Sequence, residues 1–306
     1  MDKMSTNNKV VREIPSDSRW IELSIIIVDF NSQKFTLALV NDLKKKLAGI
    51  KHEIIIVDNF PNSDADQIFS KEFAKSKNIK IIKSKENNGY GSGNNLGAKE
   101  AQGKYLWLLN PDTEIFDDTA EKMLDFLSKH FEVGALTPII LQPDRTTPQR
   151  HFFGHFQTLS RIILRNQAGV LSKNLSFLRK RESTNSGSPT ESGMTFFYTD
   201  MITGAGLMIR RELFEKLNGF DPNIFMYLED EDLCRRIAKQ GLKNAVLTTA
   251  KIIHFEGQSS NSFEKKRFYY QSQDYYWQKH CGTVKTILMK VLRFPYIIFQ
   301  QIKNLG

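Results

Sequence analysis

Cysteine is scarce in this chain, and its scarcity excludes several classes of protein. Only Cys234 and Cys281 occur, and neither belongs to a CxxC pair or a Cys/His cluster. Structural zinc sites and disulfide scaffolds need more cysteines, so both are excluded, and a reducing compartment is indicated. Long apolar runs are missing as well. No window reaches about 18 uncharged apolar residues, so no transmembrane helix is expected. Residues 1–20 contain no apolar segment of signal-peptide length.

The rest of the composition is that of an ordinary globular protein with a basic excess. Of 306 residues, 40% are hydrophobic and 25% are charged, and the net charge is +9. The positive charge is concentrated in 161–181, with six basic residues and no acid, and in 261–306, with eight Lys/Arg against two acids. A basic protein of this kind can meet nucleic acid, anionic lipid or phosphorylated substrates.

The first half alternates apolar, β-branched runs with amphipathic stretches. This pattern predicts an α/β fold with a mostly parallel, Rossmann-like sheet covered by helices. The predicted strands are 24–28, 53–57, 79–82, 105–109 and 133–136, and the predicted helices between them are about 33–48, 64–76, 94–102 and 117–130. Ligands of such sheets bind beyond the carboxyl ends of the strands. The loops that begin at Asp29, Asp58, Lys83 and Asn110 are therefore the candidates for a site.

The same pass along the chain predicts its domain organisation. We expect a core domain over 21–260, preceded by an extension at 1–20 and followed by a basic amphipathic helical tail at 261–306. Within the core, 21–140 is the expected nucleotide-binding part and 195–260 the expected acceptor and catalytic part. The polar, turn-rich stretch 182–193 suggests that 161–193 is a mobile loop.

Polar residues with nucleotide-binding chemistry follow four of the predicted strands. Asp29 and Asp58 end neighbouring strands, where a carboxylate can accept a hydrogen bond from a ribose hydroxyl or a base imide N–H. The segment 87–97, NNGYGSGNNLG, combines glycines that allow close backbone approach with amides that suit phosphate or sugar. It does not match the dinucleotide fingerprint GxGxxG. Asp112, after the strand YLWLL, lies where a cation bridging diphosphate oxygens would be held.

Four consecutive acids, 229–232, begin a predicted helix. Acids at a helix start are favourable, but four adjacent ones repel, so helix stability accounts for one or two of them. Asp232 can pair with Arg235 or Arg236 at helical spacing, which leaves Asp230 as the candidate general base. His254 follows the apolar run KIIH, and it gains a functional role only if it meets Asp112 in space.

Four segments, in order, resemble the motifs of family 2 inverting glycosyltransferases, which have the GT-A fold. They are SIIIVDFN, IIIVDNFPNSD, ENNGYGSGNNLGAKEAQGKYLWLLNPDTEI and TGAGLMIRRELFEKLNGFDPNIFMYLEDEDLCRR, and the resemblance covers about 22–260. Within the family, LNPD together with FMYxEDxDLCxR looks most like the rhamnosyltransferases. There are three departures: Asp29-Phe30 replaces a Thr-Tyr pair, Asn110 replaces the first metal-binding carboxylate, and Arg145 stands where a glycine is common.

The resemblance implies a metal-dependent single displacement with inversion at the anomeric carbon. It implies Asp230 as the catalytic base, Asp58 as a contact of the nucleotide base, and Asp112 with His254 as ligands of Mg²⁺ or Mn²⁺. The donor-binding residues that it implies are Asp29, Asn31, Asp58, Asn87, Gly89, Asn95, Asn110 and Asp112. The acceptor-binding residues are Phe225, Tyr227 and Glu229.

The implied substrates are dTDP-rhamnose and a polyprenyl-diphosphate-linked saccharide or surface polysaccharide. A UDP-sugar donor (galactose, galactofuranose or N-acetylhexosamine) is the alternative within the reaction class. Two other classes of protein stay open. One is a basic nucleic-acid-binding protein, although no nucleic-acid motif is present. The other is a nucleotidyltransferase, although the segment DFNSQKF lacks the Gly-rich, basic signature that those enzymes usually carry.

The tail predicts where the protein acts. Its apolar stripe of Val284, Ile287, Leu288, Val291 and Leu292 follows helical spacing, and Lys285, Lys290 and Arg293 lie outside that stripe. This pattern is typical of an interfacial helix on an anionic membrane, so we expect a cytoplasmic protein peripheral to the inner face of the cell membrane. The alternatives are that the stripe packs back on the core or forms a homodimer interface.

Overall fold

The computed structural model describes residues 21–162, 195–255 and 262–303. The predicted extension 1–20 lies outside the described residues, as does most of the predicted mobile loop. The strands are β1 (Leu23–Asp29), β2 (His52–Asp58), β3 (Ile79–Lys83), β4 (Tyr105–Leu109), β5 (Thr113–Ile115), β6 (Val133–Leu141), β7 (Phe153–Gly154), β8 (Phe196–Thr199), β9 (Met201–Ile202), β10 (Gly206–Arg210) and β11 (Lys243–His254). The helices are α1 (Gln33–Lys46), α2 (Ala65–Glu72), α3 (Gly89–Lys99), α4 (Thr119–Lys129), α5 (Arg211–Lys216), α6 (Glu229–Lys239), α7 (Ser262–Cys281) and α8 (Thr283–Lys303).

The core of the described chain is a nine-stranded mixed sheet in the order β3-β2-β1-β4-β10-β6-β11-β5, with β8 paired to β11. The first four strands in this order are parallel, and β10 runs antiparallel to its neighbours β4 and β6. Every residue of β1 and of β4 is buried, which is why their sequences are apolar throughout instead of alternating. The predicted α/β fold with a mostly parallel, helix-covered sheet is confirmed.

One predicted element begins in the wrong place. The glycine-rich segment was expected to be a loop before a helix at 94–102, but α3 already begins at Gly89. Glycine is a poor helix former, so propensity alone opposes this start. Tertiary packing reverses the balance: a Cβ at Gly93 would lie 2.7 Å from the Val28 side chain, and one at Gly97 would lie 2.6 Å from Ile26. The glycines allow α3 to lie directly on the sheet.

The C-terminal region consists of two helices that meet at Gly282, a residue with φ of +81°. α7 packs on the core through Tyr276 and Trp277, which are fully buried. α8 packs on α7 through Met289 and Thr286. The first half of the predicted tail is therefore attached to the catalytic part of the molecule. Among the described residues, no helix combines the length and the apolar character needed to span a membrane.

Within the described part of the chain, the apolar stripe predicted for α8 forms an uncovered face. Exposed apolar side chains form this face, and Leu292 is half-buried beside it. The exposed members are Val284, Ile287, Leu288, Val291 and Phe294. One part of the prediction is wrong, because Arg293 does not point outward. Its guanidinium lies 2.8 Å from Asp274 of α7 and above the Tyr270 ring, and Lys290 pairs with the same carboxylate.

Candidate active site

Asp29 and Asp58 lie side by side at the carboxyl ends of β1 and β2. Each carboxylate is engaged by its own turn. Asp29 accepts hydrogen bonds from the hydroxyls of Ser32 and Thr36, and Asp58 accepts from the Ser63 hydroxyl at 2.9 Å. Burial raises the pKa of Asp29, although these hydrogen bonds oppose the rise. The two aspartates thus shape the sheet edge where a nucleotide of the predicted kind would lie. Asn31, also predicted there, is exposed in the following turn.

The predicted donor amides divide into two groups. Asn87 Oδ1 accepts from Gly89 N at 3.1 Å and from Asn59 Nδ2 at 3.0 Å, which orders the start of α3 at the sheet edge. Asn95 instead has both polar atoms on the backbone of Phe220, each at 2.8 Å, so it secures α3 to that segment. Its neighbour Asn94 is buried with no described partner for Oδ1. Asn94 was not predicted as a donor-binding residue, although it belongs to the same amide-rich segment as Asn95.

Gly89 joins the donor side to the acceptor side. Its φ is +88°, and a Cβ there would lie 1.7 Å from the carbonyl oxygen of Phe225. That same carbonyl accepts a hydrogen bond from Tyr90 N at 3.2 Å. Only glycine permits this approach. The predicted donor residue Gly89 therefore brings the acceptor candidate Phe225 against the start of α3.

Asp112 and His254 are in contact, which is the condition under which the histidine was predicted to have a functional role. The distance from His254 Nε2 to Asp112 Oδ1 is 3.2 Å, and Asn110 Nδ2 lies 3.2 Å from the same ring nitrogen. β5 makes this possible, because it returns the chain after Asp112 to pair with the end of β11. Among the described residues, no cluster of three or more His, Cys, Asp or Glu suits a metal. A cation here would have two protein ligands.

Asp230 lies in the first turn of α6 and is held by two backbone amides. Its Oδ1 accepts from Glu231 N at 2.7 Å, and its Oδ2 accepts from Gly204 N at 3.2 Å. Burial raises the pKa of Asp230. A carboxylate with a raised pKa has the proton affinity that a general base needs.

The segment Thr203–Ala205 connects this base to the candidate cation site. Gly204 N donates to Asp230, its carbonyl accepts from the Tyr90 hydroxyl at 2.8 Å, and the Ala205 carbonyl accepts from Asn110 N at 3.2 Å. Burial, together with the charges of Glu229, Asp230 and Asp112, raises the pKa of Tyr90. Gly204 is therefore bonded both to the candidate base and to Tyr90, and Ala205 is bonded to the residue two positions before Asp112.

The turn before α6 is strained, and it positions a second carboxyl group. Tyr227 and Leu228 both have left-handed backbones, with φ of 68° and 69°. Strain in non-glycine residues concentrates at functional sites. Glu229, which follows them, is buried, and its Oε2 has no described partner. Burial and the neighbouring charge of Asp230 raise the pKa of Glu229.

The other two acids of the run point away from the site and attach α7. Glu231 accepts from Gln157 N and from the Tyr276 hydroxyl, each at 2.7 Å. Asp232 is fully buried and contacts the side chains of Arg236, Lys279 and His280. Burial alone would raise the pKa of Asp232, but the His280 hydrogen bond and the charges of Arg236 and Lys279 lower it to about 2. The predicted pairing of Asp232 with an arginine is present, and the partner is Arg236.

α7 also contributes aromatic rings beside the acceptor candidates. The rings of Phe225 and Phe268 are 4.7 Å apart, and those of Tyr227 and Tyr269 are 6.3 Å apart. The contribution of α7 to this surface was not predicted from the sequence. The run FYY at 268–270 was its only signal, and nothing local indicated that it would fold back on 225–227.

The model of the family described as "Glycosyl transferase family 2" matches residues 24–217. The chain belongs to this family. It is therefore a glycosyltransferase, and the first three motif segments of the resemblance lie in the matched region. A second family model, described as "N-terminal domain of galactosyltransferase", matches residues 190–258, which include the base candidate and His254.

Relatives of this glycosyltransferase include two rhamnosyltransferases. The chain is 23% identical over 218 residues to an N-acetylglucosaminyl-diphospho-decaprenol L-rhamnosyltransferase of Mycobacterium tuberculosis, covering 68% of the chain and 67% of that protein. It is 24% identical over 188 residues to the rhamnosyltransferase WbbL of Escherichia coli K12, covering 59% of the chain and 66% of that protein. The chain thus spans about two thirds of the length of these relatives.

Two solved structures show that the fold is of the GT-A type. GalNAc-T7, solved with UDP, GalNAc and Mn²⁺, superposes with a TM-score of 0.57 at 17% identity, over 91% of this chain and 55% of that one. The mannosyltransferase PcManGT of Pyrobaculum calidifontis, solved with GDP-Man and Mn²⁺, gives a TM-score of 0.56 at 14% identity, over 85% and 63%.

The side chains present fit a divalent cation at Asp112 and His254. The carboxylate oxygen and ring nitrogen that face each other are both ligand types of Mn²⁺ and Mg²⁺ sites. Two protein ligands leave the remaining positions for phosphate oxygens and water, as is usual where a cation binds together with a substrate diphosphate. Asn110 replaces a carboxylate of the family motif, but its amide hydrogen-bonds the histidine instead of adding a ligand.

Proposed function

We propose that this glycosyltransferase moves a sugar from a nucleoside-diphosphate donor to an acceptor hydroxyl with inversion, in a reaction that depends on Mg²⁺ or Mn²⁺. The observation that carries the proposal is the connection through Thr203–Ala205. One short segment bonds the carboxylate of Asp230, the ring of Tyr90 and the backbone of Asn110. A base and a cation site bonded to the same short segment would provide the two functions that this reaction needs, namely removal of the acceptor proton and neutralisation of the leaving group.

In this mechanism Asp230 removes the proton of the acceptor hydroxyl as its oxygen attacks the anomeric carbon. The bond from that carbon to the donor diphosphate breaks, and the nucleoside diphosphate leaves with the bonding electrons. Because attack and departure are on opposite faces, the product is inverted and no covalent enzyme intermediate forms. A cation held by Asp112 and His254 would neutralise the negative charge on the leaving diphosphate.

For the donor we propose dTDP-L-rhamnose. The support is the sequence likeness to two rhamnosyltransferases over most of the family region. A UDP-sugar is the second candidate, because a solved neighbour with the same fold carries UDP. Donor-binding contacts come from the sheet edge at Asp29, Asn31 and Asp58, and from the start of α3.

For the acceptor we propose a lipid-linked saccharide or a growing polysaccharide of the cell envelope. The Mycobacterium tuberculosis relative is named for a decaprenol-diphosphate-linked sugar, and another relative is the minor teichoic acid biosynthesis protein GgaB of Bacillus subtilis, 28% identical over 129 residues. In this chain the acceptor would meet Phe225, Tyr227 and Glu229. The rings of Phe268 and Tyr269 extend that surface.

A donor panel tests this assignment. We expect purified protein with Mn²⁺ to bind dTDP-rhamnose more tightly than UDP-galactose, UDP-galactofuranose or UDP-N-acetylglucosamine in titration calorimetry. Turnover with a polyprenyl-diphosphate-linked saccharide should release dTDP and no inorganic diphosphate. Tighter binding of a UDP-sugar would reassign the donor within the same reaction class. Release of diphosphate would instead indicate a nucleotidyltransferase.

The C-terminal helix α8 would hold the enzyme on the inner face of the cell membrane. Its exposed apolar side chains protrude from the described surface, and Val284 and Val291 are 72% and 64% exposed. Lys285, exposed on the same helix, and the positive charge of 261–306 favour an anionic surface. A lipid-linked acceptor would be presented there, so localisation and substrate support one another.

Vesicle co-sedimentation checks the membrane assignment. Full-length protein should pellet with vesicles that contain phosphatidylglycerol, and binding should weaken in high salt because each exposed basic residue contributes about 1 kcal/mol through a screened interaction. The double variant Ile287→Ser/Val291→Ser should bind at least about tenfold more weakly, because it removes two inserting side chains. Phe131→Ser is the matched control, since Phe131 is 75% exposed elsewhere on the surface. Wild-type protein that stays in the supernatant at low salt, or sediments as a dimer through α8, would contradict the assignment.

A further inference from the structure

Gln149 holds His254 at two points. Its Nε2 donates to the His254 carbonyl oxygen at 2.6 Å, and its Oε1 lies 3.1 Å from His254 Nδ1. The Gln149 side chain is buried, with 7% of the residue exposed. Its backbone N donates to the Ile140 carbonyl of β6 at 2.8 Å, so the residue is tied to the central sheet. Gln149 therefore holds the ring and the backbone of His254 from a position bonded to the sheet.

The hydrogen bonds decide which ring nitrogen of His254 carries the proton. A backbone carbonyl can only accept, so the amide atom facing it must be the NH₂ group of Gln149. The amide oxygen is then left facing Nδ1, and an amide oxygen can only accept. Nδ1 must therefore be the protonated nitrogen, and in a neutral ring Nε2 carries the lone pair.

That lone pair points toward Asp112. Nε2 lies 3.2 Å from Asp112 Oδ1, and Asn110 Nδ2 approaches the same nitrogen as a donor. With the proton on Nδ1, the imidazole nitrogen and the carboxylate oxygen are two electron-pair donors that face one another. The contact between these two atoms is repulsive by itself; the Asn110 amide offsets it in this structure, and a cation bound by both atoms would take the place of that donor.

We propose that Gln149 is a positioning residue that selects the Nδ1–H tautomer of His254 and so makes its Nε2 a cation ligand. The inference rests on the cation site of the proposed function and extends it to a residue outside the four motif segments that indicated the family. Residues in contact with a ligating histidine act by fixing the tautomer and orientation of the ring. Gln149 does both, because it binds the ring and the backbone of the same residue.

The tautomer can be measured without metal, substrate or turnover. Protein labelled with ¹⁵N-histidine is studied by two-bond ¹H–¹⁵N NMR at pH 8, where an ordinary imidazole is neutral. The His254 signals are assigned by their loss in His254→Gln. We expect the Nδ1–H pattern in the wild type. In Gln149→Leu the ring should shift toward the Nε2–H form, which can donate to Asp112. Gln149→Glu loses the donor to the His254 carbonyl but keeps an acceptor for Nδ1, so it should keep the wild-type tautomer pattern. An Nε2–H ring in the wild type, or an unchanged ring in Gln149→Leu, would overturn the proposal.

Cation affinity is the second readout. Binding of Mn²⁺ alone, followed by the electron paramagnetic resonance signal of the free ion, should weaken about 10–100-fold in Gln149→Leu and be retained in Gln149→Glu. Gln273→Leu is the matched control: Gln273 is a buried glutamine of α7 that bonds Gln157 and Arg293, so its loss perturbs packing away from His254. Equal Mn²⁺ affinity in wild type and Gln149→Leu overturns the positioning role. Absence of Mn²⁺ binding in the wild type overturns the cation site of the proposed function, and the NMR result then decides the role of Gln149 by itself.

Discussion

Replacing Asp230 with asparagine should lower turnover by at least about 10²-fold while donor binding stays nearly unchanged. A general base is typically worth 10²–10⁴-fold in rate, and an asparagine cannot take up the acceptor proton. The substitution is nearly isosteric, and its remaining oxygen can still accept from Glu231 N or Gly204 N. The measurement is the rate of nucleoside-diphosphate release under acceptor saturation, compared with donor affinity by calorimetry. A loss in kcat with an unchanged donor Kd places the defect in the chemical step.

Asp232→Asn is the matched control for this experiment. It is the same substitution two residues along α6, but the described side-chain contacts of Asp232 are with Arg236, Lys279 and His280. Removing one partner from a buried ion pair leaves the other charges uncompensated, so stability should fall by about 3 kcal/mol. Activity per folded molecule should change little. Full activity in Asp230→Asn, or a larger chemical defect in Asp232→Asn, would reassign the base.

The pH profile gives an independent check on Asp230. Burial raises the pKa of this group, and the base functions only when ionised. Activity should therefore be present at high pH and fall as pH drops through a value above the ordinary aspartate range. The apparent value belongs to the pair with Glu229, because the two carboxyl groups interact.

Chelation should abolish turnover, and Mg²⁺ or Mn²⁺ should restore it. The leaving diphosphate carries negative charge that must be neutralised, and the segment NPDTE contains no lysine to do so. Asp112→Ala removes the one carboxylate that faces the Nε2 of His254, so the cation concentration needed for half-maximal rate should rise sharply. The assay is turnover against free Mn²⁺ after EDTA treatment and desalting.

Two further variants make the chelation experiment specific. His254→Ala should raise the cation requirement less than Asp112→Ala, because a charged ligand contributes more than a neutral one. Asp117→Ala removes a carboxylate on the other side of β5, and its side chain is 91% exposed, so the requirement should not change. Undiminished turnover in excess EDTA would contradict the assignment of Asp112 and His254 as cation ligands.

The sequence by itself determined β1 to β4, the first part of β6 and the residues that follow β1, β2 and β4. A run of β-branched residues, such as IIIV before Asp58, favours a strand that is buried on both faces of a sheet. The position of Asp29 and Asp58 then follows, because parallel strands end at the same edge. Asp112 after YLWLL and the four acids that begin the amphipathic α6 were likewise recognisable from local sequence. The order of the motif segments along the chain was enough to indicate the family.

What the tertiary structure alone decided is which of these residues meet. Asp112 and His254 are far apart in sequence and touch because β5 pairs with β11. The four acids of α6 look alike in sequence, yet the docking of α7 assigns Glu231 and Asp232 to structure and leaves Asp230 and Glu229 to the site. Gln149 and Phe268 were not interpretable from the sequence for the same reason. Local propensity and periodicity depend on the neighbours of a segment in sequence. Partners that only the fold supplies stabilise the helix that begins with glycines, the inward-facing Arg293 and the histidine held by Gln149.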